Sequence, residues 1–156
     1  MAGDTEVVHA TAVAVGDRAV LIRGPSGSGK SDLALRCLAL APSTLVPHSA
    51  LLVADDQVLL ARAGDQIRAT APEALRGLIE VRGIGIVAVS CADLAYVALV
   101  ADLVPADKVE RMPEAGLSTR LLGIDVPLVR LAPFEPSAAV KLLVRLMRPR
   151  GGTSPA

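Results

Sequence analysis

The eight residues Gly24-Pro25-Ser26-Gly27-Ser28-Gly29-Lys30-Ser31 constrain this chain more than any other feature. They match G-x-x-x-x-G-K-[ST] in full. An apolar run, Ala19 to Ile22, stands before them, and helical spacing at Leu33, Ala34, Cys37, Leu38 and Leu40 follows. Strand, glycine loop and helix is the context that such a motif requires. Glycines let backbone N–H groups curl around phosphate oxygens with no Cβ in the way. The start of the helix adds a favourable dipole. Lys30 supplies a point charge for β and γ phosphates, and Ser31 a hydroxyl for Mg²⁺. At ordinary residue frequencies, a chance match in a chain this long is about a one-in-two-hundred event.

The rest of the chain has to build a domain around that loop. Its 156 residues, 52% of them hydrophobic, suit one domain with its own core. We place that domain at residues 1–148 and a frayed tail at 149–156. Sixteen basic residues balance sixteen acidic ones, which argues against a nucleic-acid binder. With no Trp, one Tyr and one Phe, there is no aromatic set for stacking bases or sugars. The most apolar stretch, Gly83 to Ala101, is broken by Asp93, and the N-terminus lacks a signal-peptide pattern. No membrane association is therefore expected. Cys37 and Cys91 show no metal or redox spacing and read as reduced core thiols of a cytoplasmic protein.

Pattern and turn chemistry predict an α/β domain rich in strands. Strands are expected at His9–Val15 and Arg18–Arg23, joined at Gly16-Asp17, and at Ala50–Ala54. Val58–Arg62 and Gln66–Thr70 form a hairpin, and Pro72–Leu78 a short helix. Gly85–Ser90, Tyr96–Val104 and Leu121–Leu131 are further strands, the last bent at Pro127, and Pro105–Thr119 reads as a mobile loop. Ser137–Arg148 is an amphipathic helix with Ser137 as its N-cap. The hairpins imply a mixed sheet.

Carboxylates supply the rest of the chemistry. Asp55-Asp56 ends the apolar strand Leu51–Ala54, where enzymes with such loops hold a metal shell. Adjacent strand residues point to opposite faces, so one acid can organise metal while the other accepts a hydroxyl proton. The bland alternative is that they only start a turn. Glu80 and Arg82 form a charged knot in apolar sequence, read either as a strand-edge ion pair or as a further metal ligand beside the substrate. His9 is a solvated strand residue or a site residue, and Arg111 is a cation that can reach a transferring phosphoryl group.

Together these pieces resemble the catalytic domain of HPr kinase/phosphorylase. The likeness is carried by Gly24–Asp32, by Leu52-Val53-Ala54-Asp55-Asp56, and by Leu78-Ile79-Glu80-Val81-Arg82-Gly83-Ile84-Gly85-Ile86, with His9 upstream. The resemblance implies a mixed-sheet fold akin to phosphoenolpyruvate carboxykinase, in a short, catalytic-domain-only form of the proteobacterial type. It implies ATP on Gly24–Ser31, Mg²⁺ on Ser31, Asp55 and Glu80, and Asp56 as base for phosphorylation. Lys30, His9 and Arg111 complete the implied active site. The implied acceptor is a serine of an HPr-type phosphocarrier protein of the phosphotransferase system, and the implied assembly a homo-oligomer, usually a hexamer. Leu131–Ser137 departs from the basic, glycine-bearing segment linked to the reverse reaction. A kinase for a small molecule or nucleotide, and a non-catalytic ATP sensor, remain as alternatives.

Overall fold

The computed structural model describes residues 4–112 and 115–148. Strands β1 (Thr5–Val8), β2 (Thr11–Val15) and β3 (Arg18–Arg23) lead into helix α1 (Lys30–Ala39). Then come β4 (Leu51–Ala54), the hairpin β5 (Val58–Ala63) and β6 (Gln66–Thr70), and a second hairpin, β7 (Leu78–Val81) and β8 (Gly85–Ala88). Strands β9 (Tyr96–Leu103), β10 (Ser118–Leu121) and β11 (Ile124–Leu131) precede helix α2 (Ala138–Met147). The main sheet runs β1-β5-β6-β9-β3-β2-β4, with β11 joined to β9 and β10 to β11. It is mixed, as expected: β3, β9 and β11 run parallel and the remaining pairs antiparallel.

Strand periodicity explains the layers. In β2 and β3, Val13, Val20 and Ile22 face the helices and pack with Leu33, Cys37, Leu142 and Leu146. Ala12, Ala14, Ala19 and Leu21 face the other way, onto Val58, Leu60, Ile67 and Val126. Both faces are covered, so every residue of β2 is buried. Arg18 closes the far end of α2, its Nε and Nη2 donating to the Leu146 carbonyl at 3.2 and 3.0 Å. Cys37 is a core thiol as expected, and burial pushes its pKa up to about 12; Cys91 is free too but only half-buried and outside both core clusters, which corrects its reading as a core thiol.

Several expectations are corrected. Pro72–Leu78 holds a single 3-10 turn, Glu73–Leu75, because Gly77 at φ +72° turns the chain into β7. The strand expected at Leu121–Leu131 begins only at Ile124: Leu121 ends β10, and Leu122 and Gly123, both at positive φ, make a tight turn between the two strands. Pro105–Thr119 is not wholly irregular: it carries a 3-10 turn at Ala106–Lys108 and the start of β10. Ser137 sits at the N-cap position, but its hydroxyl makes no capping bond. The proposed tail, 149–156, lies outside the described residues. Among those residues, no helix is long and apolar enough to cross a membrane.

Candidate active site

The glycine loop leaves the end of β3 and closes on α1. Gly29 stands at the N-cap with φ +98°, and no side chain caps the helix, so its first-turn N–H groups are open toward the loop. Lys30 is buried, and its Nζ donates to the carbonyls of Gly24 and Pro25 at 2.8 and 3.1 Å. Those two bonds fix the ammonium over the loop with a third N–H to spare. A Cβ on Gly24 would come within 2.5 Å of the Ser28 hydroxyl, which is buried without a hydrogen-bond partner. Open N–H groups, a tethered ammonium and an unpaired hydroxyl are a donor set for an oxyanion.

The two aspartates lie just past the end of β4, so strand alternation does not part them; the positive φ of Asp56 does. Asp55 is buried beyond the end of β4. Its Oδ1 accepts from Ser31 Oγ at 2.6 Å and from Thr11 Oγ1 at 3.1 Å, and its Oδ2 accepts from the Glu80 backbone N–H at 3.0 Å. Asp56 is exposed and takes φ +68°, a conformation that Asp tolerates better than most residues. His9 Nε2 donates to Asp56 Oδ1 at 2.6 Å. The pair is therefore no simple turn start, and His9 is no isolated strand residue.

A cavity of about 500 Å³ opens over these groups, walled by His9, Lys30, Ser31, Asp56, Glu80 and Arg82 among others. Glu80 and Arg82 form no ion pair with each other; both stand at this cavity. Oxygens of Ser31, Asp55 and Glu80 are the hard donors that Mg²⁺ takes, although only the backbone of Glu80 touches Asp55. Arg111 is exposed in the segment after β9 and is not among the cavity walls.

Two site residues escape sequence reasoning. Thr11 is fully buried, donates to Asp55 and accepts from the Asp56 N–H at 3.3 Å. Its signal was faint: one hydroxyl at the head of an otherwise apolar strand. Phe134, the chain's single phenylalanine, also lines the cavity, with its ring edge against Gly29.

Comparison with known proteins gives the family and the fold. The family model for the HPr serine kinase C-terminal domain matches residues 1–147. The HPr kinase/phosphorylase of Chlorobium phaeovibrioides is 34% identical over 151 residues, covering 89% of this chain and 43% of that protein. That of Bordetella avium is 36% identical over 138 residues, covering 81% and 42%. The chain thus spans less than half the length of these curated relatives. The solved structure of the HPr(Ser) kinase/phosphatase from Coxiella burnetii superposes with a TM-score of 0.70 at 26% identity, over 90% of this chain and 87% of that one. The fold is that of this kinase domain, and the chain belongs to the HPr serine kinase C-terminal domain family.

Proposed function

We propose that this chain is a Mg-ATP-dependent kinase that phosphorylates a serine of an HPr-type phosphocarrier protein. One observation carries the reading: the His9–Asp56 pair stands at the same cavity as Lys30 and Ser31. In-line transfer needs a donor phosphate held on one side and a base for the attacking hydroxyl on the other. Asp56 accepts the serine proton, and His9 holds that carboxylate in one orientation. Gly24–Ser31 binds the phosphates, and Lys30 balances charge on the β and γ groups. Ser31, Asp55 and Glu80 hold Mg²⁺, which when bound neutralises the phosphate oxygens. The domain spans residues 1–148, works in the cytoplasm and assembles as a homo-oligomer, which light scattering of the purified protein measures.

The test is incubation with Mg-ATP and the HPr-like phosphocarrier of the same organism, followed by the acceptor's mass. One added phosphate on a serine is expected, and Asp56→Asn should lower the rate at least about 100-fold with ATP binding retained. An unmodified acceptor beside intact ATP binding overturns the acceptor assignment, and an active Asp56→Asn overturns the base. Adding inorganic phosphate to the product then reads the reverse reaction.

A further inference from the structure

A second cavity, of about 620 Å³, lies on the other side of the glycine loop. Pro25 and Ser28 of the loop form one wall. Leu103, Val104 and Pro105, at the end of β9, and Pro133 and Phe134, just past β11, form the rest. Its lining is almost wholly apolar. Strands β3, β9 and β11 are parallel, so the loop and this groove share the carboxyl end of the same three strands. Ligands of open α/β sheets bind at that end.

Phe134 stands between the two cavities and lines both. It is 70% exposed, an unfavourable state for a large apolar ring. Its backbone, however, is tied down on both sides. Arg36 of α1 donates from Nη2 to the Pro133 carbonyl and from Nη1 to the Glu135 carbonyl at 3.2 Å, so both flanks of the phenylalanine are tied to the helix that begins at the loop. Lys141 holds the Glu135 carboxylate at 2.6 Å. A ring that lies against Gly29 and lines an apolar groove, on a backbone tied to the loop's own helix, offers a stacking surface beside the phosphates.

We propose that this groove takes the base and sugar of the nucleotide whose phosphates lie on Gly24–Ser31, with the base stacked on Phe134. The proposal rests on the nucleotide reading given above. It commits the occupant by continuity: a molecule anchored on the loop extends either into the Asp56 cavity, where the acceptor must come, or past Phe134 into the apolar groove. Sparse polar walls make stacking, rather than recognition of the base edge, the main source of affinity.

The chain has no Trp, so Phe134→Trp places a single indole at the groove. With Mg²⁺ present, ATP should quench its emission, whereas inorganic tripolyphosphate should displace ATP without quenching. By calorimetry, Phe134→Ala should weaken ATP about tenfold or more and leave tripolyphosphate within about twofold. Equal ATP affinity in wild type and Phe134→Ala overturns the platform and spares the nucleotide reading. Equal losses for ATP and tripolyphosphate also overturn it, because the residue then merely shapes the loop. A wild-type protein that binds neither ligand overturns the nucleotide reading itself, and the platform with it.

Discussion

Asp55 spends its oxygens on three separate parts of the chain: the start of α1 through Ser31, the head of β2 through Thr11, and β7 through the Glu80 amide. Each partner donates, so the carboxylate is held in one orientation by three parts of the fold. Thr11 gives this arrangement its rigidity, since its one hydroxyl serves both Asp55 and the Asp56 amide. Thr11→Val keeps the volume and removes both bonds, leaving a buried acceptor short of a donor. We expect a loss of about 1–3 kcal/mol, read from the urea midpoint, and weaker Mg-dependent ATP binding. At this scale the sequence was informative where motifs have fixed spacing. The loop, Asp55, Asp56 and Glu80 were all singled out from order along the chain, and the fold brings them together. Thr11 and Phe134 were not, because each earns its place only through residues distant in sequence: Asp55 for the first, and Gly29 and Arg36 for the second.

Elements whose signals are local came out close to expectation. The β5–β6 hairpin and α1 lie within a residue or so of their predicted spans, because turn glycine and helical spacing act over a few residues. The segment from Pro72 to Leu78 failed for the opposite reason. Its early proline and apolar spacing favour a helix, but pairing of Leu78–Val81 with Gly85–Ala88 wins. Strand β1 was missed since its four residues are mostly exposed and gain their shape only from β5. Gly77 is the hinge of the second hairpin. A Cβ there would meet the Val89 carbonyl oxygen at 3.2 Å, in a backbone region that L side chains avoid. Gly77→Ala should therefore cost about 1–2 kcal/mol by thermal or urea unfolding. It should also weaken the site, because β7 carries Glu80.

For the whole molecule, one curled sheet separates two apolar layers, and α2 seals the helical layer through Leu142, Leu143 and Leu146, all fully buried. Leu142→Ala should cost about 2–5 kcal/mol, measured as a fall in unfolding midpoint, with little change in the isolated chemistry at pH 7. Composition and hairpins made a mixed sheet legible. Strand order was not, because it depends on which distant strands share an edge. The central strand β3 bears the loop, and its parallel neighbour is β9, where Arg18 meets Tyr96 and Arg23 meets Asp102. That pairing sets a timetable. As the chain leaves the ribosome, the loop motif emerges before β9 and β11, so the strand supporting it has an open edge until β9 arrives, and the groove has no far wall until β11 follows. Long-range parallel pairing of this kind is slow to form. The motif is therefore complete in the nascent chain before the surfaces around it are, and until β9 pairs, one side of β3 is an unpaired strand edge.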